Sequence, residues 1–446
     1  MATTVINNVW SPWYGHFVRG VQQLIPEWEM LRRAKKAPVG LTRHSGGINW
    51  PVDLDYDGGI HFTVDGGSLA RASSPAPVMA RDDWTYLVGR FELSYDVLKS
   101  KGMSKNQIIS QLAYQAKHKL DAFRRVVSVG FYGYPDNILF TATGAGTVSG
   151  SDVTVTVDSL YGDDGALPSG LQLRRYLKAG RDYVNIHDGL TADLTDTAAR
   201  GDAPWLVKSI NEATGTLTLT PTSSTGTLAD GAAAIADGDA IVLANQVRVG
   251  TAAERAADSF NRGLNGLLHL TRGATVHNID EATNPDWSPA FRVTGYNDEL
   301  QHANVFDWME AIGKESGKEY AKCYTTTKVL AAAGADQLSA LRYAKGDSEK
   351  PKVGFTNVTV GGKMTFRNNY CPAGTMFMTS KDAIMRLAPD DDIEEVIDSG
   401  EIERDGMEFQ QEEGTLMFHH DNIIRTQMMC NARKEFGIVQ DITELA

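Results

Sequence analysis

Three stretches of this sequence hold residue types that could do chemistry. GAGTVSG at 144–150 suggests a phosphate-cradling glycine loop, but the third glycine of a G-x-G-x-x-G would fall at Ser149, and no amphipathic helix follows to receive a pyrophosphate. A turn between strands is the reading its residues support. DLDYDG at 53–58 has carboxylates at the first, third and fifth positions of a calcium loop and glycine at the sixth, yet the twelfth is Val64, so the bidentate glutamate is missing. That stretch is expected to be a polar turn at the root of a hairpin. His419-His420-Asp421 offers two imidazoles, but neighbours on a strand point to opposite faces and cannot share one ion. No G-x-S-x-G, H-E-x-x-H or G-x-x-x-x-G-K-[ST] occurs anywhere. Cys323, Cys371 and Cys430 are odd in number, far apart and without a C-x-x-C pair, as expected of buried free thiols. The residues therefore support no catalytic site, no metal and no cofactor, and the expectation is that the chain is not an enzyme.

The elements that would position any site follow from periodicity. With 42% hydrophobic and 22% charged residues, the 446-residue chain has enough apolar material for a large core and too little charge for disorder. The opening lacks a basic segment followed by an apolar run, and no stretch approaches a membrane span, so a soluble protein made inside the cell is expected. Residues 1–45 mix Trp10, Trp13, Tyr14, Phe17, Ile25, Pro26 and Trp28 with polar residues in no regular period and read as an arm. Its anchors pack either on a neighbouring subunit or on the chain's own body. From 46 to about 93, IHFTVD, VMARDD and WTYLVGRFELS predict a long two-stranded excursion with its tip near 66–77, which should lie on something. Ser104 to Gln107 is a capping box, followed by an apolar stripe of Ile109, Leu112, Ala116, Leu120, Phe123 and Val127 that Gly130 ends. Within 138–250, ILFTAT, DVTVTV, DYVNIH, WLVKSI, TLTLT and AIVLA are short Thr/Val-rich runs between turns, predicting an inserted β-barrel or sandwich. After Gly263 mixed α/β resumes: a helix over 303–316, strands KCYTTT, GFTNVTV and GTMFMTS, and closing strands GTLMFHH, IIRTQMM and FGIVQDI.

Charge is uneven. Between Asp390 and Glu413 twelve carboxylates face the single Arg404, so this run carries most of the net −13. Residues 1–45 have six basic side chains, Arg19, Arg32, Arg33, Lys35, Lys36 and Arg43, against Glu27 and Glu29. The opposed segments could attract between copies, weakening with salt, or could be two independent solvated faces. Nowhere do dense Lys/Arg interleave with aromatics as a specific nucleic-acid site would require.

The order of arm, hairpin excursion, capped helix, β-rich insertion and α/β body resembles the major capsid protein of tailed bacteriophages, of the Hong Kong 97 type. The stretches that carry the resemblance are RFELSYDVLKSKG before NQIISQLAYQAKHKLDAF, GDAIVLAN, GLNGLLHL, NPDWSPAF and VGFTNVTVGGKMTFRNNYCPAGTMFMT. It implies an α+β chain with an N-terminal arm (1–45), an extended loop (46–92), a peripheral domain (93–137) with a spine helix at 104–128, an inserted β-barrel-like subdomain (138–262), an axial domain (263–410) and C-terminal strands returning to the peripheral domain (411–446). It implies hexamers and pentamers closing into an icosahedral shell in the virion, assembled in the host cytoplasm. The implied partners are further copies of the chain, scaffolding protein and portal, a decoration protein, and double-stranded DNA held non-specifically, with no membrane. The inter-subunit contacts it implies lie on arm and loop: Trp10, Trp13, Tyr14, Phe17, Arg19, Arg32, Arg33, Trp50, Asp57, Arg71, Met79, Arg81 and Trp84. Some members weld subunits through a loop lysine; here no lysine lies between Lys36 and Lys99, so overlap must be non-covalent. A cellular nanocompartment shell of the encapsulin kind is the alternative.

Overall fold

The computed structural model describes residues 35–36, 42–44, 47–52, 54, 77–83, 85–94, 125–133, 138–159, 173–187, 204–221, 235–243, 263–331, 363–367, 370–387, 410–411 and 417–443. The capping box at 104–107, the calcium-like turn apart from Leu54, the strand GFTNVTV and the acidic run apart from Gln410–Gln411 lie outside these residues, as does most of the arm.

The six runs expected between 138 and 250 are all strands, and they close a barrel. In order around it stand Thr216–Pro221, Asp152–Ser159, Ile138–Ser149, Ala240–Leu243, Tyr183–His187 and Trp205–Asn211, which pairs back to the first, every pairing antiparallel. Alternation explains the packing: Val153, Val155 and Val157 are buried among Leu217, Leu219, Val184, Ile186 and Val207, while the residues between them face outward. Closure removes the open edges that an isolated sheet would expose. GAGTVSG differs from the expected turn. Residues 144–149 belong to a bulged strand, with Gly144 at φ +76° and Gly146 pressed on Val153, and only Gly150 enters the turn.

The body is built around a five-stranded mixed sheet in the order Phe291–Val293, Phe436–Val439, Met376–Ser380, Tyr320–Thr325, Met364–Arg367. Met376–Ser380 is buried along its whole length, because layers cover both faces. Met376 and Met378 pack with Val305, Trp308 and Ile312 of the helix His302–Ser316, whereas Phe377 joins a second core with Phe131, Tyr132, Leu267, Leu268 and Trp287. Gly437 is obligatory, since a Cβ there would lie 2.2 Å from the Phe291 ring. All three cysteines are buried, and none is in a disulfide.

Three expectations need correction. Before the barrel, residues 125–132 are helical, past Gly130: that residue lies flat against Leu264, and its carbonyl would be 2.4 Å from a Cβ on Gly266, so its missing side chain serves close packing, not termination. GTLMFHH and IIRTQMM are one strand, Met417–Met429. The return strand of the excursion also changes partner. Val78–Asp83 pairs with Gly47–Val52, but Thr85–Ser94 leaves that hairpin and pairs along ten positions with the C-terminal strand, from Thr85 opposite Thr426 to Ser94 opposite Met417. The reason is local: Gly47 folds back to pair with His44, so nothing upstream remains opposite residues beyond Asp83. The end of the arm also pairs within the chain, Lys35–Lys36 running parallel to Met385–Arg386.

Candidate functional site

The described residues converge on one place, where the chain passes from the first ribbon (Gly47–Val52 with Val78–Asp83) to the second (Thr85–Ser94 with Met417–Met429). A two-residue turn between Thr275–Val276 and Ile279–Asp280 inserts there. Its residues, His277 and Asn278, both lie at positive φ, 54° and 62°, a conformation that costs L-residues roughly 1–2 kcal/mol each. The contacts of the turn hold it in place. The His277 carbonyl accepts the Arg81 N–H at 2.9 Å, the ring Nδ1 lies 2.9 Å from Asp82 Oδ2, and Nε2 accepts the Cys430 N–H at 3.1 Å. Trp50 meets the ring edge-on with centroids 5.1 Å apart, and Trp287 stands at 6.3 Å.

A buried polar chain extends the joint. Asn265 Nδ2 donates to Asp82 at 2.5 Å, the Asn265 N–H donates to Gln427 Oε1 at 2.8 Å, Gln427 Nε2 donates to Thr85 Oγ1 at 2.9 Å, and Thr85 donates to the Gly263 carbonyl at 2.8 Å. Both ribbons are thus fastened at their roots to the 263–277 segment and to the C-terminal strand.

Electrostatics at His277 pull both ways. Burial opposes a charge on the ring while Asp82 and the Cys430 thiol favour one, and that balance would lift its pKa to about 9. The Cys430 amide, however, needs a lone pair on Nε2, so we read the ring as neutral, with its proton on Nδ1 shared with Asp82.

A second knot secures the neighbouring helix Leu267–Arg272. Arg433, fully buried, donates to the carbonyls of Leu270 (2.8 Å), Gly273 (2.7 Å) and Trp287 (3.0 Å) and to Glu281 (3.0 Å). Two of these acceptors are at the C-terminal end of the helix, where orphan carbonyls and the dipole favour a cation. Glu281 also takes a bidentate pair from Arg292 at 2.8 and 2.5 Å. Burial alone would raise the Glu281 pKa; Arg292 and Arg433 outweigh it and hold the carboxyl below the usual carboxylate range. The barrel is tied to the body by a buried ion pair, Arg125 to Asp182 at 2.7 Å, and Asp182 also accepts the Lys178 N–H at 2.6 Å.

These arrangements fix geometry and offer no reacting group. Among the described residues no cluster of His, Cys, Asp or Glu could hold a metal, and no helix is long and apolar enough to cross a membrane. His419 and His420 occupy successive strand positions opposite Glu92 and Phe91. Of the expected inter-subunit residues, Trp10, Trp13, Tyr14, Phe17, Arg19, Arg32, Arg33, Asp57, Arg71 and Trp84 lie outside the described residues. Trp50 is corrected: at 0% exposure it is sealed in the chain's own core and has no surface to give a neighbour. Met79 is 51% exposed and Arg81 is exposed on the same strand. Sequence reading missed His277, Arg433 and Gln427; TVHNID, with its Asn in a two-residue gap, was the only local signal.

No family model matches the chain, and no curated protein does. Among solved structures it is similar to a chain of the cyanophage A-1(L) capsid asymmetric unit, with TM-score 0.47 and 11% identity over 94% of this chain and 93% of that one. A capsid chain of a native GTA particle gives TM-score 0.41 and 9% identity over 93% and 90%. The holo-SrpI encapsulin complex from Synechococcus elongatus PCC 7942 gives 0.38 and 7% over 94% and 89%. All of these scores lie below 0.5, so what the chain does has to be argued from its own residues.

Proposed function

We propose that this chain is a shell-forming protein, the major capsid protein of a tailed phage, which assembles through hexamers and pentamers around double-stranded DNA. One observation carries the reading. The ribbon of Thr85–Ser94 and Met417–Met429 runs ten paired positions, roughly 33 Å at ~3.3 Å per residue, from a root locked by Gln427 and Thr85. Among the described residues, Thr85–Ser94 is paired along one edge only, and the far part of its partner meets just Gln410–Gln411. A two-stranded ribbon is marginal in water, and an open edge attracts other chains. A rigid root with a long ribbon, one strand of which is paired along a single edge among the described residues, suits a protein whose neighbours complete it. The resemblance in sequence supports the same reading and assigns the parts: arm at 1–45, extended loop at 46–92, peripheral domain at 93–137 with 411–446, axial domain at 263–410, and the barrel, within 138–262, as an insertion. Scaffolding protein and portal are the expected assembly partners, and a subunit of net charge −13 would hold DNA only loosely.

Electron microscopy with sedimentation velocity on the purified full chain tests this. Polyhedral particles or five- and six-fold rings are expected. A stable monomer at high concentration would overturn the reading, and particles that hold a protein cargo in place of DNA would move it to the encapsulin kind.

A further inference from the structure

The joint at His277 holds a group whose bonding depends on its protonation state. Its side chain is fully buried, while Asp82 keeps 14% of its own side chain accessible, which gives a proton a route to the ring. Neutral imidazole has one N–H and one lone pair, and both are used here. Nδ1 donates to Asp82 of the first ribbon, and Nε2 accepts the amide of Cys430, the residue that follows the long strand Met417–Met429 of the second. Imidazolium has two N–H groups and no lone pair. A further proton would set the ring Nε2–H against the Cys430 N–H, donor to donor, while turning the bond to Asp82 into an ion pair. The neutral ring therefore serves both ribbons and the charged ring only the first.

The groups packed around the ring bear on that choice. Burial opposes its charge, whereas Asp82 and the Cys430 thiol favour it. His269, on the helix Leu267–Arg272, is kept from protonation by burial first and then by His277 and Arg433, so it adds no competing cation. Trp50 and Trp287 are uncharged, and Arg81 gives its backbone N–H to the His277 carbonyl. The second fastening differs. Thr85, Gln427, the Asn265 amide and the Gly263 carbonyl are joined through hydroxyl and amide groups that do not titrate in the accessible range. Gln427 and Cys430 thus anchor the same strand end, and only the bond at Cys430 answers to pH. Because His277 and Asn278 are held at positive φ by such contacts, losing one of them favours movement of the turn.

We propose that His277 is a proton-operated latch: protonation of its ring releases the Cys430 amide and turns the rigid root of the second ribbon into a pivot about Gln427. The inference concerns the joint alone and stands apart from the shell reading. Hydrogen exchange of the full-length protein tests it, read residue by residue by mass spectrometry and divided by the exchange of the unfolded chain at each pH. The range runs from about 9, the value towards which Asp82 and the thiol lift the ring, down to about 5. Protection of the Cys430 amide should fall about tenfold in a single step, while the Met428 amide, bonded to Gln427 Oε1, keeps its protection. Constant protection of Cys430 would overturn the latch, and so would parallel loss at Met428, which would mean that the whole strand end frays. Asp82→Asn keeps an acceptor for Nδ1 and removes the charge that favours imidazolium, so the step should move down by about one pH unit or more. His277→Gln cannot titrate and should abolish the step. A step that stays put in Asp82→Asn, or survives in a folded His277→Gln chain, belongs to another group and refutes the proposal.

Discussion

Barrel and body solve the same packing problem with different materials. The barrel core is chiefly apolar, from Leu139 to Ile241, with Asp182, Asn185 and Asp239 as its buried polar residues among those described, and its strands come from one stretch of chain. The body gathers segments from both ends of the sequence and threads its core with polar groups: Gln427 meets Thr85 across 342 residues, His277 meets Asp82 across 195, and Arg433 meets Leu270 across 163. Apolar contacts tolerate many partners, whereas a buried donor accepts few. The body is therefore specified by bonds that are expensive to leave unmade, the barrel by pattern and volume. That division suits a part that must hold two ribbons at fixed angles beside a part that need only be a compact module.

Two substitutions should separate the regions in a melt followed by circular dichroism. Arg433→Ala leaves three carbonyls without their donor, while Glu281 keeps Arg292, and should destabilise the body by about 3–5 kcal/mol while the barrel transition stays in place. Leu217→Ala opens a cavity among Val153, Val155 and Leu219 and should lower only the barrel transition, by about 2–5 kcal/mol. If either variant shifts both transitions equally, the two regions melt as one unit and the contrast fails.

The contrast also explains what the sequence disclosed. Barrel strands such as Asp152 to Ser159 were legible because alternation at period two is a local signal of a half-buried strand, and Ala240–Leu243 because it is an unbroken apolar run between turn residues. The helix His302–Ser316 and the strand Met376–Ser380 were legible for the same reason, from apolar spacing and from an unbroken apolar run. The joint at His277 was not. Its imidazole, the carboxamide of Gln427 and the guanidinium of Arg433 are residue types that usually face water, and what buries them comes from distant segments. Trp50 was misassigned to an interface because its large apolar side chain on an excursion signals a need for burial without saying against what. Thr85–Ser94 was placed in the wrong ribbon because strand propensity carries no address for the partner.

A smaller effect distinguishes the regions by pH. His269 keeps part of its side chain accessible, yet burial above all pushes its pKa down to about 3. The unfolded chain takes up that proton near the ordinary ~6.5, and the folded body does not. The body should therefore lose stability steadily as pH falls from about 6.5 towards 3, and be flat with respect to this group above 6.5. His187 ends the barrel strand Tyr183–His187, so His187→Gln is the control for any slope of the barrel transition itself. His269→Gln should flatten the body's dependence; an unchanged slope would show that other groups set it.

The mildest perturbation leaves the native protein untouched. Cys323, Cys371 and Cys430 all lie in the body, each at most 1% exposed, and no cysteine occurs between 138 and 243. Burial pushes the Cys323 thiol up to about 12, against a hydrogen bond from Tyr320 that works the other way, so both access and the scarcity of thiolate protect it. A disulfide reagent at mildly alkaline pH should find no reactive thiol in the folded chain. On heating, all three thiols should appear with the body transition and none with that of the barrel. Leu217→Ala should leave the temperature of their appearance unchanged and Arg433→Ala should lower it. A thiol that reacts as the barrel melts would mean that the Arg125–Asp182 tie transmits unfolding into the body, making the joint between the two regions as important as either core.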